Sequence, residues 1–222
     1  MTSFIQQISI MVIPLLLAVI THEVAHGWVA GKLGDPTARL SGRLTFNPLP
    51  HIDPIGSILI PAILLLSQSP FLFGYAKPVP VNFHNLRNPK RDMVWVAVAG
   101  AAANLLLALG FSVLLRILIS SEVIWDQPLI VAVLRPLVLM LRYGVVINVA
   151  LAVFNLLPIP PLDGGKIMVG ILPLNAAYQY SKLEPFGFLI LIALLMTRIL
   201  NWVIAPPMYF LLRLFLGEAL MM

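Results

Sequence analysis

The chain has 222 residues, a net charge of +5, 60% hydrophobic and only 10% charged residues, and a mean hydropathy of +0.97. A soluble domain carries about 25% charged residues, so a soluble fold of this length is excluded and lipid must cover part of the apolar surface. With no cysteine, disulfides and thiolate metal sites are excluded too, and any transition-metal site must draw on four histidines and nine acidic residues.

The first apolar stretch, Phe4 to Ala30, exceeds the roughly 20 residues a helix needs to cross a bilayer. It has no positive leading region and no small-residue cleavage site, so it is expected to be a retained span. A basic, Gly- and Pro-bearing segment follows from Gly31 to Pro54, with Lys32, Arg39 and Arg43 against Asp35. Ile55 to Phe73 is a second apolar run. Gly74 to Asp92 is basic again, with Lys77, Arg87, Lys90 and Arg91, and its KPVPV piece predicts extended backbone. Met93 to Ser120 is a third run, rich in Ala and Gly near its start, which allows close helix packing. An acidic link, Ser121 to Gln127, holds Glu122 and Asp126.

Pro128 to Leu157 is a fourth run, interrupted by Arg135, Pro136 and Arg142. Pro158 to Gly165 is a turn, followed by a short helix to Leu172 and a polar link from Pro173 to Glu184. The tail, Pro185 to Gly217, reads as two short spans separated near Asn201, with Pro206–Pro207 as a kink or break. The expectation is an all-α integral membrane protein of five or six transmembrane helices with a small membrane-associated extended (β) segment. It forms one membrane-embedded domain over residues 1–222.

Charge sets the orientation. The basic segment after the first span belongs in the cytoplasm, which puts the N-terminus outside and the acidic link outside as well. The third span then runs outward and the fourth returns, bringing Asp163 to the same side as His22 and His26. Ile55 to Phe73 has basic segments on both flanks, which a simple span cannot satisfy. Either this run is re-entrant or the 74–92 segment dips into the protein. The basic residues cluster between apolar stretches, so they read as topology signals and not as a nucleic-acid surface.

Inside the first span stands His22-Glu23-Val24-Ala25-His26, an H-E-x-x-H pattern. Residues four apart on a helix stack one turn above each other. Two imidazoles on one face can therefore share one Zn²⁺ at about 2.0–2.1 Å, and Glu23 sits close enough to take a proton from a water activated by that metal. Three ionisable residues within five positions of an apolar span cost about several kcal/mol unless something compensates, and a metal does so. A chance pattern or a structural polar patch is the alternative.

Such a site needs a third protein ligand and an open position. His51, His84 and several carboxylates compete. Asp163 is the best placed: it lies within NLLPIPPLDGG (155–165), where prolines stop the helix and glycines free the backbone. Irregular backbone at membrane depth is tolerated only around a cavity or within protein. A helix-ending turn with a solvated Asp is the alternative.

HEVAH in a first span, GAAAN at 100–104 and NLLPIPPLDGG at 155–165 together resemble the site-2 protease family of intramembrane metalloproteases. The stretches GRLTFNPLPHIDPIGS (42–57) and GYAKPVPVNFHNLRNPKRD (74–92) are similar to its compact prokaryotic members, which lack a PDZ module. The resemblance implies Asp163 as third zinc ligand, one Zn²⁺ per chain, and cleavage of a peptide bond in or beside a substrate's transmembrane helix near the cytoplasmic face of a prokaryotic cell membrane. It also brings in Asn104 and Asn155, each able to donate to the substrate backbone or to a developing oxyanion, with interhelical hydrogen bonding as the alternative. The family usually has Gly-Pro ahead of the first Asn; this chain has Gly100-Ala101.

The Lys77–Val81 piece is expected either to offer a strand edge to an unwound substrate or to be an ordinary basic loop. His51 and Asp53 either line the site or stabilise a turn. Arg135 and Arg142 lie two helical turns apart and face substrate or, for Arg135, snorkel to the interface. The expected partners are a transmembrane protein substrate and the bilayer, with no nucleic acid; oligomeric state is unreadable. The rival functions are a metal-dependent transporter, which needs no Glu between the histidines, and an inactive relative that only binds membrane proteins, against which Glu23 argues.

Overall fold

The computed structural model describes residues 4–67, 75–120, 128–197 and 199–217. The acidic link Ser121–Gln127 and the end of the second apolar run lie outside these residues. Nine α-helices are present among them: α1 (Phe4–Lys32), α2 (Thr37–Leu40), α3 (Ile60–Leu66), α4 (Pro89–Ile119), α5 (Pro128–Asn155), α6 (Asp163–Ile171), α7 (Leu174–Ser181), α8 (Gly187–Met196) and α9 (Ile199–Leu216). Five helical segments are long and apolar enough to cross a membrane: Ile8–Lys32, Pro89–Ile119, Ile130–Asn155, Leu174–Met196 and Ile199–Leu216. The chain is thus an all-helical multi-pass membrane protein.

Helices α1, α4 and α5 form the centre. On α1, positions 10, 14, 18, 22, 26 and 30 are all buried. This four-residue repeat is one face of a helix, and His22 and His26 occupy two of its six places. On α4 the buried stripe is Ala97, Gly100, Ala101, Asn104, Ala108, Ser112 and Leu115. Its small residues let α1 and α5 approach closely. Lower down, Ala108 and Leu115 of α4 pack with Leu141, Val145, Val149 and Val153 of α5 and Leu216 of α9. The outer surface is the reverse of a soluble protein's: Leu106, Ile117, Trp202 and Phe210 are exposed, as lipid-facing side chains should be.

Three expectations need correction. The segment 75–82 is neither helix nor strand, and no strand occurs among the described residues. Pro78 and Pro80 have no N–H to donate, while the N–H groups of Lys77, Val79 and Asn82 go to His51 C=O, Glu23 and Asp35. Too few are left to build a ladder. The polar link after Leu172 is helical, as α7, and runs towards α8 as one apolar segment. The break in the tail falls at Thr197, so Asn201 lies inside α9, and Pro206–Pro207 also sit within that helix without ending it. Arg135, Pro136 and Arg142, which punctuate the fourth apolar run, all lie within one helix, α5.

The second apolar run begins with a π-helical turn at Pro54–Leu59 and passes into α3. Its described helical part spans Pro54 to Leu66, about 20 Å at 1.5 Å per residue. That is less than the roughly 30 Å hydrocarbon thickness. Asp53 caps its start, accepting from Ile55 and Gly56 N–H at 3.0 and 2.7 Å.

Candidate metal centre

The stripe on α1 turns both imidazoles towards the start of α6. Helix α5 ends at Asn155, and a turn with a cis Pro160–Pro161 bond leads to Asp163 at the first position of α6. A side chain at Gly164 would fall 2.2 Å from Leu157 O and 2.4 Å from Leu156 O, so only glycine lets the turn fold back this tightly behind Asp163. The carboxylate is thereby carried across 141 residues of sequence to His22.

Three atoms converge. His22 Nε2 lies 3.1 Å from Asp163 Oδ2, His26 Nε2 lies 3.0 Å from the same oxygen, and the two Nε2 atoms are 3.0 Å apart. All three residues are buried. The other ring nitrogens face acceptors: His22 Nδ1–H donates to Asn104 Oδ1 at 2.8 Å, and His26 Nδ1–H donates to Val96 C=O at 2.7 Å. Neutral rings that carry their hydrogen at Nδ1 present lone pairs at Nε2. Two lone pairs and a carboxylate oxygen then face one another, which is unfavourable unless a cation lies among them. A proton can bridge one pair at a time; a divalent ion serves all three. Tetrahedral ligation at about 2.0–2.1 Å would set neighbouring donors about 3.3 Å apart. The observed triangle is within a few tenths of an ångström of that, so the residues fit a zinc ion.

Glu23 and Lys166 complete the surroundings. Glu23 Oε2 accepts from Val79 N–H at 2.7 Å, and Lys166 Nζ lies 2.9 Å from Asp163 Oδ1. Lys166 holds the outer carboxylate oxygen and leaves Oδ2 for the histidines. His22, Glu23, His26, Asp163 and Lys166 line a cavity of about 290 Å³, which the 78–83 segment, Val96, Ala97, Asn155 and the Pro161–Leu162 turn close off. Arg43 fastens the covering segment by donating to Lys77 O at 2.7 Å and Pro78 O at 3.3 Å.

The remaining candidates sort by position. Asn155 lines the cavity; its Nδ2 donates to Leu151 O at 3.0 Å, which leaves its Oδ1 uncommitted among the described residues. Asn104 does not line the cavity. It is fully buried between α1 and α5, so contact with substrate does not suit it and a hydrogen bond between helices does. His51 is buried with Nε2–H on Thr45 O at 2.9 Å, and Asp53 caps a helix, so both stabilise turns. His84 is exposed, and neither Arg135 nor Arg142 lines the cavity.

Two functional positions escape a motif-based reading. A Cβ at Gly100 would lie 2.5 Å from His26 Nε2 and 2.6 Å from His22 Cε1, so the bare Cα of Gly100 is the wall against which both rings rest. Its signal was the G in GAAAN. Val79, which supplies the N–H to Glu23, carries no signal beyond lying between two prolines.

The profile of peptidase family M50 matches residues 130–197. YwhC of Bacillus subtilis, whose name reads "Putative zinc metalloprotease", is 36% identical over 88% of this chain and 84% of its own length. Rip2 of Mycolicibacterium smegmatis and Rip2 of Mycobacterium tuberculosis, named in the same terms, are 30% and 27% identical, each over 84% of this chain and 66% of their own. No solved structure matches the chain. With the fold, the site and a relative this similar over most of both chains, the protein belongs to peptidase family M50, the site-2 proteases, which are membrane metalloproteases.

Proposed function

We propose that the chain is an intramembrane zinc metalloendopeptidase that hydrolyses a peptide bond in or near a transmembrane helix of a membrane-protein substrate. The observation that carries this is the convergence of His22, His26 and Asp163 with Glu23 around one cavity inside an apolar helix bundle. The three converging residues would hold Zn²⁺, which when bound polarises the scissile carbonyl and lowers the pKa of a water. Glu23 takes the proton from that water at its free carboxylate oxygen and returns it to the leaving amine. The Val79 N–H on Oε2 fixes the rotamer of Glu23 while it does so. Asn155 lies on the cavity wall where an amide can meet the substrate backbone.

A helical substrate hides its carbonyls in its own hydrogen bonds and must unwind locally before it can react. The 77–82 segment, which is not helical, supports this reading. Val79 and Val81 line the cavity, and Val81 N–H meets no acceptor among the described residues, so an unwound strand can add beside it. His26 and His22 lie six and ten residues before Lys32, at the end of α1. At 1.5 Å per residue that is about 9 and 15 Å from a basic end that should face the cytoplasm of a prokaryotic cell.

The test is Glu23→Gln in the full chain, with zinc content and cleavage of helix-containing substrates measured together. Gln retains an oxygen for Val79 N–H. The expected result is unchanged zinc and a rate lower by about 10²–10⁴-fold. Undiminished cleavage, or metal transport as the sole surviving activity, would overturn the proposal.

A further inference from the structure

We infer that Asn148, which touches no proposed ligand and lies outside the cavity, is a positioning residue: acting through Asn104, it fixes which nitrogen of His22 carries the hydrogen and keeps the Nε2 lone pair aimed at the metal. The inference rests on the reading of His22, His26 and Asp163 as a metal centre.

A buried amide can sit in either of two orientations, because its oxygen and nitrogen ends have nearly the same shape. Here the choice is made at a backbone carbonyl. Gly144 C=O can only accept, and Asn148 Nδ2 donates to it at 2.8 Å. That turns Asn148 Oδ1 towards α4, where Asn104 Nδ2 donates to it at 3.0 Å. The same Nδ2 lies 3.4 Å from Ala18 O, again an acceptor only. Asn104 Oδ1 is therefore the end that faces His22 Nδ1 at 2.8 Å, and only an N–H satisfies it. A neutral imidazole with its hydrogen at Nδ1 has its lone pair at Nε2.

Direction is thus set at each of three links from a carbonyl of α5, through α4, to a ligand on α1. Asn104 and Asn148 are both fully buried, so water cannot replace a lost link. The two histidines differ in this respect. His26 takes its direction straight from Val96 C=O. Only His22 depends on a chain of side chains, and hydrogen-bond partners behind a metal-bound imidazole are known to set its tautomer and orientation.

The experiment compares detergent-purified wild type, Asn104→Ala, Asn148→Ala, Asn148→Asp and the Asn104→Ala/Asn148→Ala pair. Zinc affinity is read by competition with a chelator, and the visible spectrum of the Co²⁺-loaded protein reports ligand geometry. Asn104→Ala should lose about 10–100-fold in zinc affinity. Asn148→Ala should lose less, because Asn104 is then free to turn over, and its cobalt spectrum should shift. The pair should bind no more weakly than Asn104→Ala alone, since Asn148 acts only through Asn104. Asn148→Asp, protonated in this buried setting, offers the same donor to Gly144 and acceptor to Asn104 and should restore affinity and spectrum. It also carries the test if Asn148→Ala does not fold. A merely structural Asn148 would lower the metal-free melting temperature while leaving zinc affinity and the cobalt spectrum unchanged, and that result, or additive losses in the pair, would overturn the inference. A wild type that takes up no zinc would overturn the metal-centre reading itself, and this inference with it.

Discussion

Replacing Gly100 by Ala tests the packing of the centre most directly, because one methyl group reaches both histidines. The added Cβ would stand 2.5 Å from His26 Nε2 and 2.6 Å from His22 Cε1 and His26 Cε1. Ordinary contact begins at 3.4 Å, so the helices or the rings must yield by up to 0.9 Å. Catalytic and metal constellations tolerate displacements of only about 0.5 Å. Overpacking of this kind costs about 1–3 kcal/mol in stability. The loss of zinc affinity should reach or exceed the upper end of the about 10–100-fold range seen when a single supporting contact is removed, because two ligands move together. Gly110, ten residues along the same helix, has nothing within 4 Å of its Cβ position. Gly110→Ala should therefore leave zinc binding intact and gain up to about 1 kcal/mol of helix stability. Chelator competition and thermal unfolding of both variants provide the assay. Wild-type zinc affinity in Gly100→Ala would refute the placement of the two rings against α4.

Three further outcomes are expected. Asp163→Ala should lose most of the bound zinc seen in wild type, measured as metal per chain after purification; full retention would move the third ligand elsewhere. A chelator that strips zinc should abolish cleavage, and added Zn²⁺ should restore it in wild type but not in Asp163→Ala. Asp35 anchors the covering segment: it accepts from Thr37 Oγ1, from Thr37 N–H at 3.1 Å, from Asn82 N–H at 2.7 Å and from Asn85 Nδ2 at 2.9 Å. Burial alone would raise its pKa, but the hydrogen bonds from Thr37, Asn85 and Asn82 outweigh this and hold the carboxyl below its ordinary 3.8. A depressed carboxyl contributes stability above its unfolded pKa and loses it as pH falls through the folded value, so the 77–88 segment should become protease-sensitive only below about pH 4. Asp35→Ala should show that sensitivity at neutral pH, at a cost of about 1–3 kcal/mol.

The sequence by itself determined a good deal. Hydropathy and charge placed the protein in a membrane, and the run boundaries anticipated α1, α4 and α5 because a lipid-crossing helix must be long and apolar. The spacing of His22 and His26 put both rings on one helical face, since i and i+4 coincide whatever the neighbours are. The Pro-rich stop before Asp163 marked where α5 ends and α6 begins. The tail was less legible. Pro206–Pro207 read as a kink or a break, and α9 carries them without ending, as membrane helices often can.

What the tertiary structure alone decided is who faces whom. Asn104 came in through the family resemblance, as either a substrate contact or a hydrogen bond between helices, and only the fold shows it against His22, 82 residues away. Asn148 drew no notice, although the amide direction of Asn104 depends on it. Gly100 matters only because α1 crosses α4 at that point. The prolines of the 77–82 segment were visible, but its attachment to Glu23 was not. In each case the residue type was plain and its role depended on a contact between helices remote in sequence. Such contacts are fixed by how the buried stripes interlock, and no local pattern of residues encodes that.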